Sequence, residues 1–182
     1  MNIILSEADR LNSLVSNFLL FAKPPAAKSE IIDLENALTE ILTILEKDSL
    51  CRGITITRDI EPDIWVEMDS GHLRQVLWNL LINAAESIVD TGYIDIKMKL
   101  LKEQYVIITI RDNGCGIPKD VIPSIFDPFI TTKPDGTGLG LSIVHRIIES
   151  YDSRLDVESN VNKGTVFTIR LKKAVSPYNV KT

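Results

Sequence analysis

The sequence predicts an α/β two-layer sandwich, a mixed sheet of about five strands covered on one face by three main helices. Residues 94–100 supply the first observation: Ile94, Ile96, Met98 and Leu100 alternate with Asp95, Lys97 and Lys99, the two-residue period of a half-buried strand. The second is that strand-like segments fall in adjacent pairs, which rules out a simple alternation of parallel strands and helices. The third is that each helical segment carries a single apolar stripe, such as Leu38, Ile41, Leu42 and Leu45, and so has one surface to bury.

Residues 2–22 read as an amphipathic helix. Ile4, Ala8, Leu11, Val15, Phe18 and Ala22 recur at steps of four and three, the seam of a coiled coil or helical bundle. Leu14, Leu19, Leu20 and Phe21 widen the apolar surface, so this helix is expected to need a partner. Pro24 and Pro25 stop it, which divides the chain into a coiled-coil-like helix at 1–23, a linker at 24–29, a domain at 30–175 and a tail at 176–182. Within the domain, 31–34 reads as a short strand and 35–47 as a helix. Strands follow at 54–60 and 65–68, then a helix at 72–89 with Asp69 or Ser70 placed to cap it. A strand at 105–111, a helix at 139–150 and strands at 155–159 and 165–171 complete the pattern.

Composition narrows the function classes. Of 182 residues 45% are apolar and 25% charged, the balance of a globular protein with a real core. The net charge of -5 argues against nucleic acid as a partner, because its phosphates demand a basic surface. A nucleotide remains possible, since backbone dipoles and a metal ion offset its charge locally. Cys51 and Cys115 stand in no metal-ligand spacing and read as reduced thiols, consistent with a cytoplasmic chain. No apolar run reaches the ~20 residues of a membrane span, and Glu7, Asp9 and Arg10 interrupt residues 1–22 as a signal peptide. No membrane contact by this chain is expected; tethering of a longer parent protein stays open.

Three places break the pattern toward chemistry. Val106, Ile108 and Ile110 share one strand face, and Asp112 continues it toward the core, where an unpaired carboxylate is costly. Asn113-Gly114-Cys115-Gly116-Ile117-Pro118 follows at once. Asp112 is placed to accept from an exocyclic amine such as that of adenine, although capping of a turn by its own side chain accounts equally for this composition. The second place is Gly136-Thr137-Gly138-Leu139-Gly140, opening the helix of Leu141, Ile143, Val144, Ile147 and Ile148. Glycines at a helix start expose N–H groups to an anion, but neither the P-loop pattern nor a preceding strand is present, so a flexible connector competes. The third is the helix at 72–89. Gln75, Asn79, Asn83 and Glu86 occupy a face apart from the stripe of Leu73, Leu77, Leu80, Leu81, Ala84 and Ile88. Asparagine is a poor helix former, and its amide oxygen suits Mg²⁺ held otherwise by water and phosphate. A solvated polar face is the alternative, favoured for Glu86 and not for Asn83.

In this order the three pieces resemble the ATPase domain shared by histidine kinases, gyrase-type topoisomerases and mismatch-repair ATPases. Residues 79–84 (Asn-Leu-Leu-Ile-Asn-Ala) look like its N box, 112–118 like the first glycine box and 136–141 like the second. Ile125-Phe126-Asp127-Pro128-Phe129-Ile130-Thr131-Thr132-Lys133 is similar to the F box of sensor histidine kinases, and Lys163-Gly164-Thr165-Val166-Phe167 to the terminal Gly-Thr strand. The F box and short lid point to the nitrogen-regulation type of sensor kinase, with residues ~30–172 covered by the likeness. Residues 9–14 and 21–24 resemble the second helix of a dimerisation and phosphoacceptor hairpin.

The resemblance implies a Bergerat-type fold binding ATP and Mg²⁺. Asp112 would accept from the adenine amino group, with Gly114, Gly116 and Ile117 along the pocket wall. Asn83 would ligate Mg²⁺ and Asn79 would lie near the phosphates or the metal. Phe126 and Phe129 would anchor a mobile lid that carries Thr131 and Thr132. Lys133 and the backbone of Gly136, Thr137, Gly138, Leu139 and Gly140 would contact the phosphates, and Leu141 and Thr165 would also belong to the nucleotide site. Catalysis would rest on Asn79, Asn83 and Lys133, which position the γ-phosphoryl for in-line transfer. The implied partners are an upstream hairpin with its homodimer mate and a response-regulator receiver domain.

Departures from the family pattern shape one further expectation. His72 precedes Leu73 and His145 precedes Arg146, so neither has the acidic neighbour of a phosphoacceptor, and each reads as a surface or supporting residue. This chain is therefore expected to bind ATP without phosphorylating itself. Glu86 stands where many histidine kinases carry lysine, and Tyr151-Asp152-Ser153 replaces the usual His-Gly-Gly turn. An ATP hydrolase of the same superfamily and a nucleotide-binding regulatory module are the competing functions.

Overall fold

The computed structural model describes residues 28–133 and 136–178. The coiled-coil-like helix expected over 2–22, most of the linker, Pro134 and Asp135, and the end of the tail lie outside the described residues. The elements run β1 (Glu30–Asp33), α1 (Leu34–Leu45), β2 (Ile54–Ile60), β3 (Trp65–Met68), α2 (Ser70–Ser87), β4 (Gly92–Leu101), β5 (Tyr105–Asp112), α3 (Gly140–Ser150), β6 (Arg154–Asn160) and β7 (Gly164–Lys172).

The main sheet has five strands in the order β2-β4-β5-β7-β6. β2 runs parallel to β4, and every other neighbouring pair is antiparallel, which makes the sheet mixed as expected. Its register puts Ile96 opposite Ile110 and Met98 opposite Ile108, so the inward side chains of β4 and β5 meet in pairs. Ile94, Ile96, Met98, Val106, Ile108 and Ile110 are all buried, while Lys97, Lys99, Arg111 and Arg170 are exposed. One face thus meets the helices and the other meets water, the two-layer arrangement.

The structure departs from one undivided sheet. β1 and β3 pair antiparallel in a separate two-stranded ribbon, joined to the end of β7 through the Val66–Lys173 bridge. These strands are short, and Ile64, Val66 and Met68 are buried in the same core as the helices, so the ribbon closes one end of that core beside β7.

Side-chain caps set the helix starts. The Asp33 Oδ1 accepts from Glu35 N at 3.0 Å and Asn36 N at 3.2 Å, which starts α1 at Leu34 and takes that residue from the expected strand. Asp69, of the two capping candidates, accepts from His72 N at 3.0 Å. The stripe is enclosed from Leu73 to Ala84, with Leu77, Leu80 and Leu81 each at 0% exposure, and α2 ends at Ser87, before the partly buried Ile88. Leu80→Ala is expected to destabilise the domain by about 2–5 kcal/mol through lost transfer energy and a residual cavity. Its denaturation midpoint should fall at unchanged m-value.

Candidate functional site

Asp112 ends β5 at 2% exposure. Three donors converge on its Oδ1: the Ser87 hydroxyl at 3.0 Å, Gly114 N at 2.8 Å and Thr165 N at 3.2 Å. They come from the end of α2, the turn after β5 and the start of β7. The carboxylate is therefore a junction of three elements, and the turn-capping role is present alongside. Burial pushes its pKa above the ordinary value, and the three hydrogen bonds oppose that shift. Gly114 permits the junction: a Cβ there would lie 2.0 Å from the Ser87 Oγ.

Asp112 lies at the floor of a cavity of about 300 Å³ between α2, the start of α3 and the segment that links β5 to α3. Asn79, Asn83 and Glu86 face this cavity from α2. Their spacing of four and three places them on one side, and Ser87, four residues beyond Asn83, extends it. Lys133 lines the cavity from the facing loop. Its Nζ donates to the Asn83 Oδ1 at 3.0 Å and is ion-paired with Glu86. Thr131 Oγ1 holds the Lys133 backbone N–H at 3.1 Å and so fixes the loop from which the lysine reaches.

Helix α3 begins without a side-chain cap, and its first residues Gly140 and Leu141 line the cavity. The first N–H groups of a helix have no intrahelical partner and stand at the positive end of its dipole, and here that end borders the cavity. Gly138 sits at φ +67°, and a Cβ there would approach the Phe129 carbonyl carbon to 2.4 Å. The Phe129 N–H donates to Gly138 O at 3.0 Å, so the F-box loop and the second glycine stretch are tied back to back.

Most of the residues singled out from sequence meet around this one space: Asn79, Asn83, Asp112, Gly116, Ile117, Thr131, Thr132, Lys133, Gly136, Thr137, Gly138, Gly140, Leu141 and Thr165. Gly114, Phe126, Phe129 and Leu139 lie outside its lining. Leu139 is core, and Phe126 stacks on His145 with ring centroids 4.8 Å apart. Phe129 is 61% exposed, a surface position. Apolar walls come from residues that sequence reasoning passed over, among them Ile82, Val121, Ile125 and Phe167. Ile82, Ile125 and Phe167 belonged to recognised motifs, which was the available signal.

The two histidines differ. His145 also contacts Glu149 at 3.3 Å, whereas His72 is buried at 6% exposure and its Nδ1 meets the Tyr151 hydroxyl at 2.9 Å. Tyr151 OH accepts from Asp69 N at 3.0 Å as well, so the altered turn after α3 joins the end of that helix to the start of α2.

The chain as a whole is similar in sequence and fold to known proteins. The model of the Histidine kinase-, DNA gyrase B-, and HSP90-like ATPase family matches residues 68–175. The chain belongs to that ATPase family. Among sensor kinases, the Sensor histidine kinase ZraS of Klebsiella oxytoca is 36% identical over 166 residues, covering 91% of this chain and 36% of the relative. The chain spans about a third of the length of the curated relatives it matches. Full-length ShkA in complex with AMPPNP has a TM-score of 0.83 at 27% identity, covering 94% of this chain and 37% of that one. Histidine kinase ThkA in complex with the response regulator protein TrrA has a TM-score of 0.80 at 30% identity, covering 95% and 50%. Within the ATPase family the chain carries the catalytic domain of the sensor-histidine-kinase branch. Among the described residues, no helix is long and apolar enough to cross a membrane.

Proposed function

We propose that this domain binds ATP in the Asp112 cavity and transfers its γ-phosphoryl to a histidine on a phosphoacceptor hairpin, for relay to a response-regulator aspartate. The observation that carries this reading is the buried Asp112 carboxylate. Its Oδ1 is committed to three protein donors, which orients the second oxygen for the exocyclic amine of adenine. Apolar walls from Ile82, Ile125 and Phe167 suit a planar base, and the uncapped start of α3 suits the phosphates at the other end. AMPPNP in the ShkA relative and TrrA beside ThkA support a nucleotide ligand and a regulator partner here.

The donors at the polar end also fit Mg²⁺. Asn83 offers a neutral amide oxygen and Glu86 a carboxylate, both hard ligands, and both already share one cationic atom. Among the described residues no trio of His, Cys, Asp or Glu forms a metal cage, as suits an ion that keeps its waters and phosphate oxygens. When bound, Mg²⁺ supplies charge neutralisation at the β- and γ-phosphates. Asn79 and Asn83 orient the phosphate end, and Lys133 brings a positive charge from the facing loop.

Transfer of labelled γ-phosphoryl tests the reading. This chain and ATP are mixed with a separately produced histidine-kinase hairpin, then with a receiver domain. Acid-labile, base-stable label on the hairpin is expected. ATP hydrolysis without hairpin label would favour the hydrolase reading, and tight binding with neither reaction the regulatory module.

A further inference from the structure

Lys133 belongs to the F-box loop and Glu86 to α2, yet their charged ends meet over the cavity. The ammonium is shared by Asn83 and Glu86, two oxygen donors one helical turn apart. The Lys133 and Glu86 side chains are 35% and 38% exposed, so the pair adds little to stability and is easily exchanged. Its significance is placement. The pair converges on the amide oxygen that suits the metal, and a divalent ion and an ammonium cannot share those oxygens at contact distance without strong repulsion.

We propose that Asn83 and Glu86 form a single cation site, held by Lys133 until Mg²⁺ enters, and that this exchange turns Lys133 onto the nucleotide phosphates. The inference rests on the ATP-site reading above and deepens it. Glu86 then has two opposite effects. With no metal it repels the phosphates and retains Lys133, so nucleotide binds poorly. With Mg²⁺ present it supports the ion, directly or through a bound water, and the freed lysine adds an attraction to the phosphates. A carboxylate at this position makes nucleotide binding more strictly metal-dependent than an amide would.

The test is calorimetric titration of ATP into the whole chain, once with EDTA and once with Mg²⁺, for wild type, Glu86→Gln and Lys133→Gln. For wild type the metal-free Kd divided by the Mg²⁺ Kd gives the metal dependence. Glu86→Gln is expected to reduce that ratio at least ~10-fold, the scale of a lost metal-supporting group, with tighter binding in EDTA. Lys133→Gln should weaken binding in Mg²⁺. An unchanged ratio in Glu86→Gln, in a variant whose melting temperature matches wild type, overturns the exchange while leaving the ATP site standing. Absence of ATP binding by wild type overturns the underlying site reading instead.

Discussion

Asp112→Asn should weaken ATP binding by at least ~30-fold while leaving the domain folded. Asparagine keeps an oxygen for the Ser87, Gly114 and Thr165 donors, so the junction of α2, β5 and β7 survives. Its NH₂ then takes the place of the second carboxylate oxygen and meets the adenine amine donor to donor. Losing a charged hydrogen bond of about 2–3 kcal/mol weakens binding roughly 30- to 150-fold, before the mismatch is counted. The pH behaviour separates this from general damage. Burial raises the Asp112 pKa above the ordinary 3.8, so the native state binds more protons than the unfolded state between those two values. The contribution of this group to stability therefore falls as pH rises through that window and is constant above it. Asp112→Asn removes the slope, and its thermal stability at neutral pH should equal or exceed that of wild type. ATP affinity of wild type should fall as the carboxylate protonates in the same window.

Asn83→Ala is expected to separate helix stability from catalysis with opposite signs. Alanine is a better helix former than asparagine by about 0.5 kcal/mol, and Asn83 lies inside α2, before its final turn ends at Ser87. The variant should melt no lower than wild type. Phosphoryl transfer to a hairpin should nonetheless fall by ~100-fold or more, because several kcal/mol of charge stabilisation depend on how the phosphates and their ion are held. Single-turnover transfer at saturating ATP checks this directly. Near-wild-type transfer would remove Asn83 from the catalytic set.

Much of the architecture was legible because burial on one face imprints a period on the chain. The alternation in 94–100 located β4, and continuing the β5 period to Asp112 exposed the one polar residue aimed at the core. The same logic isolated Asn79 and Asn83, since α2 had no packing use for them. What stayed hidden depends on contacts between distant segments. Lys133 and Glu86 are 47 residues apart, and nothing local distinguishes Glu86 from a solvated acid. Ser87 fell inside the helix expected over 72–89 and carried no signal of its own until Asp112 was beside it. The pairing of β1 with β3 away from the main sheet is likewise a tertiary choice, because four-residue strands carry too little pattern to name their partners. His72 gave no sign of burial, which arises only when Tyr151 arrives from the end of α3.

The most direct measurement is titration of ATP into the wild-type chain, with and without Mg²⁺, followed calorimetrically. The account predicts saturable binding at one site that strengthens with Mg²⁺ and is competed by ADP. Neither heat nor thermal stabilisation at millimolar Mg²⁺ and ATP would contradict it, since the Asp112 cavity would then not be a nucleotide site.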